Sequence, residues 1–306
     1  MIEISGLVKN FGQVRALDGL TFTCNPGEMI ALVGPNGSGK STALKIVAGV
    51  IRQDEGHVRI GGELMTMGSV KLRSRISYLP QRAAFPDQAT TKEVLTFFSH
   101  IRALDNGRTS HMMSAFGLSG FERKRVAELS GGMLQRLALA VSFLPEADLY
   151  ILDEATNNLD AEGLARFREH ALGVLDRGAS VILSTHILRE VEHLAHTIAM
   201  VFQGRIVIEK RIDKFVKDMS RSRKMWITME NLAEKFRNLA LKMGADKVIL
   251  NCNTMTVECA ETIRIPILSA LSQNGAKITE FGLYEPSLED MYHQVFKNEG
   301  TGTSRC

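Results

Sequence analysis

Residues 34–41 read GPNGSGKS. Glycines at 34, 37 and 39 permit a tight turn in which successive backbone N–H groups face inward, an arrangement that cradles phosphate oxygens. Lys40 adds a point charge for β- and γ-phosphates, and Ser41 adds a hydroxyl for Mg2+. The helix expected after the loop directs its positive end at the same point. The stretch completes the pattern G-x-x-x-x-G-K-[ST]. Gly34, Pro35, Asn36, Gly37, Ser38, Gly39, Lys40, Ser41 and Thr42 are therefore the expected nucleotide-binding segment. By itself the loop specifies a nucleoside triphosphate and does not separate kinase, GTPase and ATPase.

A second chemical feature lies further along. The apolar run Leu149-Tyr150-Ile151-Leu152 ends in Asp153-Glu154. A carboxylate at the end of a buried strand beside a phosphate loop can reach the Mg2+ shell, which assigns Asp153 to the metal. Glu154 points elsewhere and is placed to polarise a water for in-line attack on the γ-phosphate. Glutamate rather than glutamine at 154 argues against a protein that only binds nucleotide.

These residues need a scaffold. Short strands are expected at Ile2-Glu3-Ile4 and Leu20-Thr21-Phe22, then a turn at Asn25-Pro26-Gly27-Glu28. The apolar strand Met29–Val33 runs into the phosphate loop, a helix follows from Thr42, and further buried strands fall at Leu149–Leu152 and Ser180–Ser184. This order implies an α/β fold: a P-loop NTPase core with an N-terminal antiparallel β part and a parallel sheet. Apolar residues spaced by three and four from Thr91 to about Leu144 predict a helical subdomain, about 88–146, inserted between strands. The ATPase domain is expected over 1–215. The stretch 216–306 is read as a small C-terminal α+β domain, with strands at 225–229, 247–251 and 254–259 and helices at 230–243 and 263–273.

Residues 129–136 read LSGGMLQR, with Ser130 the expected N-cap of a helix. LSGGxxQR, downstream of GxxxxGKS and upstream of a strand ending in Asp-Glu, resembles the signature of ABC ATPases. Other stations of that family follow in its order over residues 1–210. Gln81, ending Tyr78-Leu79-Pro80-Gln81, resembles the glutamine that touches Mg2+ or the attacking water. Asn157-Asn158-Leu159-Asp160 resembles the D-loop, His186 in Ser184-Thr185-His186 the switch histidine near the γ-phosphate, and Phe11 the aromatic residue that stacks on adenine.

The resemblance implies an ATP-binding and ATP-hydrolysing subunit with ATP and Mg2+ as cofactors. Glu154, His186 and Gln81 would be catalytic, and Ser41, Gln81 and Asp153 would hold the metal. Leu129, Ser130, Gly131, Gly132 and Gln135 would face the nucleotide of a second ATPase copy, identical or related, with Asp160 nearby. The partner implied is an integral membrane permease, docking on the surface from Gln81 to about Arg125, including Phe85. Two departures stand out: Ala155 where the family usually has proline, and Asn157-Asn158 where serine or glycine types are common. Residues 284–292, YEPSLEDMY, resemble the end of ATPase subunits of ABC-2-type exporters. They also resemble a subunit linked to copper-site maturation of nitrous oxide reductase. Ser287 and Asp290 there make a near-capping box.

The remaining features narrow the class. Net charge is +3 over 306 residues, no argument for a nucleic-acid partner. No apolar run nears the roughly 20 residues of a membrane helix. The N-terminal MIEISGLVKNFG lacks a leader pattern. The expected location is cytoplasmic, on the membrane's inner face through a partner. Cys24, Cys252, Cys259 and Cys306 form no metal-like spacing and are read as reduced thiols. The pair Met65 and Met67 is read as core filling. A basic stretch from Lys210 to Lys224 is read as a solvated helix and linker. A soluble ABC ATPase on ribosomes or nucleic acid, or a non-hydrolysing regulator, are the competing readings. A single phosphate loop, a region between Lys40 and Ser130 too short for a coiled coil, and the pair Glu154 and His186 weigh against them.

Overall fold

The computed structural model describes residues 1–186, 194–214 and 224–284. Its backbone divides into two compact units, Met1–Ile212 and Asp213–Cys306.

In the first unit, β1 (Ile2–Phe11) and β2 (Val14–Cys24) form an antiparallel hairpin, much longer than the two short strands expected there. Alternation continues past the polar residues, with Ile2, Ile4, Leu17, Leu20 and Phe22 all buried. Next come β3 (Met29–Val33), α1 (Lys40–Val47), β4 (Glu55–Ile60), β5 (Glu63–Leu64), α2 (Val70–Ser74) and β6 (Ile76–Leu79). The helical insertion holds α3 (Thr91–Ile101), α4 (Asn106–Ala115) and α5 (Gly131–Ser142). It is interrupted before Asn106 and again from Phe116 to Ser130, near the breaks that Asp105-Asn106-Gly107 and Gly117 mark in the sequence, although the second gap is much longer than one glycine requires. Three caps set the helix starts: a Thr90–Glu93 capping box, Asp105 accepting from Gly107 N, and Ser130 accepting from Met133 N. After it come β7 (Leu149–Asp153), α6 (Ala161–Asp176), β8 (Ser180–Thr185), β9 (Thr197–Phe202) and β10 (Arg205–Arg211).

Two sheets result. One is antiparallel, ordered β2-β1-β4-β5; the other is ordered β10-β9-β3-β8-β7-β6 and is parallel except at β10. Every residue of β3, β7 and β8 is buried, so these strands are covered on both faces, with polar residues only at the ends of β7 and β8. Because they are parallel neighbours, their carboxyl ends lie together. That brings the phosphate loop, Asp153-Glu154 and Ser184–His186 to one edge, where open α/β sheets bind ligands.

Behind that edge sits an aromatic cluster. Phe143, on the connection from α5 to β7, stacks on Phe116 at 5.8 Å and on Tyr150 at 5.2 Å, with Phe167 at 6.2 Å edge-on. Tyr150 OH donates to Pro145 O at 2.8 Å and accepts from Ala147 N at 3.2 Å, fixing the entry into β7.

In the second unit, β11 (Lys224–Met229), α7 (Glu234–Lys242), β12 (Lys247–Asn251), β13 (Thr254–Glu258), α8 (Arg264–Gln273) and β14 (Ile278–Tyr284) follow a β-α-β-β-α-β order. The sheet is antiparallel, ordered β12-β13-β11-β14, a ferredoxin-like arrangement. Met225, Ile227, Phe236, Met255, Val257, Ile267 and Leu271 form its core. The first helix starts later than the expected residue 230, because Asn231 is tied elsewhere. Its Nδ2 donates to Gly275 O and its Oδ1 accepts from Lys277 N, both at 2.8 Å. Ser287 and Asp290 of the near-capping box, and Lys217, Arg221 and Arg223 of the basic stretch, lie outside the described residues.

Phe143→Ala opens a hole among three buried aromatic rings, Phe116, Tyr150 and Phe167, a change that costs about 3–5 kcal/mol. Urea unfolding followed by tyrosine fluorescence should show a midpoint clearly below that of the unaltered chain.

Candidate active site

The phosphate loop is held in shape by contacts that only glycine allows. A Cβ on Gly34 would lie 2.2 Å from Val201 O, and one on Gly39, at φ +108°, would lie 2.6 Å from Ala16 O. Gly39 is also the N-cap of α1 and supplies no side-chain acceptor, so the first N–H groups of that helix stay available to an anion. Gly204, in the turn between β9 and β10, stitches the loop to its surroundings. Gly204 N donates to Ser38 O at 2.9 Å, and Asp18 N donates to Gly204 O at 3.0 Å.

Lys40 is buried, and its Nζ donates to Gly34 O at 2.7 Å and Pro35 O at 3.0 Å. Burial pulls its pKa below the usual lysine value, and the charges of Glu154 and Asp153 oppose that shift. The loop is thus closed over its own lysine, in the shape that a phosphate would require.

Asp153, at the end of β7, is 1% exposed. Its Oδ1 accepts from Ser41 Oγ at 3.0 Å and from Ser184 Oγ at 2.5 Å. Its Oδ2 is buried with no hydrogen-bond partner among the described residues, as are the hydroxyls of Ser38 and Tyr78. Burial, and after it the charge of Asp153, pushes the Tyr78 hydroxyl up to about 12. A buried carboxylate oxygen left bare beside a serine hydroxyl is what a hard divalent cation satisfies. The donor set Ser41, Asp153 and Gln81 is all oxygen and fits Mg2+.

Glu154 follows in the left-handed region, φ +53°. The strain is held by its N–H, which reaches Ser184 O at 3.1 Å and Ser184 Oγ at 3.0 Å. Its carboxylate is turned away from Asp153. Oε2 accepts from Gln81 Nε2 at 2.9 Å and from Asn157 Nδ2 at 2.6 Å, while Oε1 lies 3.7 Å from His186 Nδ1. One carboxylate therefore hydrogen-bonds Gln81 and Asn157 and faces His186.

The signature helix packs beside this group. Ser130 Oγ accepts from Met133 N at 3.3 Å, and Gly132 lies so close to Asn158 that a Cβ would sit 2.9 Å from its carbonyl oxygen. Gln135 Nε2 donates to Ala155 O at 2.8 Å. Asp160 caps α6 through Gly163 N at 2.9 Å and pairs with Arg136 at 2.6 Å, which holds its carboxyl below the usual range. Ala155 is fully buried, and the positive φ values fall on its neighbours Glu154 and Asn158. Phe11, at the tip of the β1–β2 hairpin, is 51% exposed with Lys9 over its ring. Met65 is buried in the core, and Met67 is half exposed.

Sequence reasoning missed three residues. Ser184 joins Asp153 to Glu154, and the signal for it is register, since it lies directly opposite Asp153 across β7 and β8. Asn157 appeared as the first residue of the stretch resembling the D-loop and as a departure from that motif, with no role at Glu154. Gly204 carried no signal beyond a turn.

Comparison with known proteins follows from this geometry. The family model described as ABC transporter matches residues 17–157. The chain is 28% identical to the daunorubicin resistance ATP-binding protein DrrA3 of Streptomyces coeruleorubidus, over 95% of this chain and 94% of that one. It is 33% identical to the Nod factor export ATP-binding protein I of Paraburkholderia xenovorans, over 68% of this chain and 70% of that one. A solved ATP-binding subunit of an ABC transporter superposes with a TM-score of 0.66 at 27% identity, covering 72% of this chain and 93% of that one. These relatives speak for the exporter branch of the resemblance and give no support to the copper-maturation branch.

Gly34→Ala should force the loop off Val201 and weaken binding of a fluorescent ATP analogue at least about tenfold, or 1.4 kcal/mol, in an equilibrium titration.

Proposed function

Because the chain belongs to the ABC transporter family of ATP-binding subunits, we propose that it binds ATP on residues 34–42 and hydrolyses it with Glu154 as general base. The free energy drives a separate membrane permease. The observation that carries this reading is the Glu154 carboxylate: ionisable, buried, beside Lys40, and in contact with Gln81 at one oxygen and facing His186 with the other.

The residues divide the work. Lys40 exchanges the Gly34 and Pro35 carbonyls for β- and γ-phosphate oxygens, so binding replaces two hydrogen bonds rather than creating a site from solvent. Phe11 offers an exposed ring to the adenine base. Glu154 takes the proton of the attacking water, and His186 lies where it can contact the γ-phosphate. Mg2+, held by Ser41, Asp153 and Gln81, would neutralise charge on the β- and γ-phosphates. The N–H groups opening α5 at Ser130-Gly131-Gly132 form an anion site, which the resemblance assigns to the nucleotide of a second copy. Each ATP then joins two copies, and hydrolysis releases them.

The permease contact is supported by an apolar groove of about 550 Å3 whose lining begins three residues after Gln81 in sequence, at Ala84. Phe85, Pro86, Val94, Phe97 and Phe98 line it, and Phe97 is 60% exposed. Among the described residues, no helix is long and apolar enough to cross a membrane. Membrane attachment at the cytoplasmic face is accordingly assigned to the permease. The names of the relatives, export and drug resistance, favour outward transport.

Glu154→Gln should keep ATP binding, reduce turnover by at least about 100-fold, and yield an ATP-dependent dimer in light scattering; normal turnover would remove Glu154 from its role. Lys40→Ala should weaken nucleotide binding itself. Phe97→Asp should abolish co-purification with the permease while the detached subunit still hydrolyses ATP. Retained co-purification would move the docking surface elsewhere.

A further inference from the structure

We propose that Asn157 is a positioning residue for hydrolysis, its amide holding one oxygen of Glu154 so that the other is presented to the attacking water. The inference rests on the reading of Glu154 as general base. It goes beyond that reading, because position 157 had entered only as part of the stretch resembling the D-loop and as a departure from the family pattern, with no contact to the base.

The geometry is local. Asn157 N donates to Glu154 O at 3.2 Å, closing a turn that carries the positive φ of Glu154. That turn brings the asparagine side chain back over the residue three positions earlier. Its Nδ2 reaches Oε2 at 2.6 Å, the shorter of the two amide contacts; Gln81 Nε2 reaches the same oxygen at 2.9 Å. Two N–H donors converging on Oε2 occupy its lone-pair directions. Oε1 instead faces His186 Nδ1 at 3.7 Å, a separation that makes no direct hydrogen bond. Oε1 is thus the oxygen with acceptor capacity left for a water.

The two amides are not equivalent. Gln81 is also the expected metal ligand, so its amide has a competing task once nucleotide and metal arrive. Asn157 has none and remains the donor that fixes the carboxylate plane. The backbone of Glu154 is already pinned by Ser184 O and Oγ. The free variable is rotation of the carboxylate, and Asn157 restrains it. In the step itself the water oxygen bonds the γ-phosphorus, the β,γ-bridging P–O bond breaks with its electrons on ADP, and the water proton passes to Oε1. A serine at 157 has a shorter side chain, and an aspartate would set an acceptor against an acceptor.

The test is steady-state ATP hydrolysis by the full chain carrying Asn157→Leu, which keeps volume and removes the donor, and Asn157→Asp, which keeps shape and reverses the contact. The expected result is a kcat lowered about tenfold by leucine and further by aspartate, with KM for ATP within about twofold of the parent. The same leucine change is then made in the Glu154→Gln background, where single-turnover hydrolysis should fall no further, since the group it positions is gone. An unchanged or raised kcat for Asn157→Leu, a matching rise in KM, or an additive loss in the double variant would each overturn the proposal. Normal turnover by Glu154→Gln alone would instead overturn the assignment of the base, so the two failures are distinguishable.

Discussion

One carboxylate oxygen organises the site. Asp153 Oδ1 accepts hydroxyls from Ser41 at the start of α1 and Ser184 at the end of β8. Three elements far apart in sequence therefore meet at one buried charge. An ionised group that deep is tolerated only where hydrogen bonds compensate its lost hydration. The compensation is one-sided, since Oδ2 has no partner among the described residues. This unevenness leaves one carboxylate oxygen bare beside the Ser41 hydroxyl, as the proposed Mg2+ site requires.

From that point the geometry propagates through the sheet. Parallel pairing sets Asp153 opposite Ser184, and the next residue inherits the contact, because Glu154 N binds the same serine. The serine thus ties the Asp153 carboxylate and the backbone of Glu154 to a single strand end. Positive φ at Glu154 then turns its side chain from Asp153 toward Gln81, Asn157 and His186. Two adjacent acids acquire different surroundings without any difference in intrinsic chemistry.

How much of this could be read in advance depended on range. GPNGSGKS, LSGGMLQR and the Asp-Glu strand end state their chemistry in contiguous residues, and the α/β class follows from strand, loop and helix in succession. The ferredoxin-like order of the second unit was partly legible, since its strands and helices alternate cleanly. Long-range facts were not. The β1–β2 hairpin is hidden by polar residues on its solvent side, and of the gap from Phe116 to Ser130 only the start, at Gly117, is marked by a residue type. Ser184, Asn157 and Gly204 act through register, a turn and a backbone contact, none of which is a residue type.

The Gly204 contact reaches beyond local packing. It bonds the phosphate loop through Ser38 and the β1–β2 hairpin through Asp18, the register partner of Val8, and Phe11 sits three residues further along β1 at the turn. On the proposed reading, in which Phe11 takes the base, the aromatic tip and the phosphate loop would act as two jaws of a caliper joined through Gly204. A guest is measured by its length. One that reaches both jaws gains two attachments for a single loss of translational freedom, whereas a bare triphosphate or a bare base gains one.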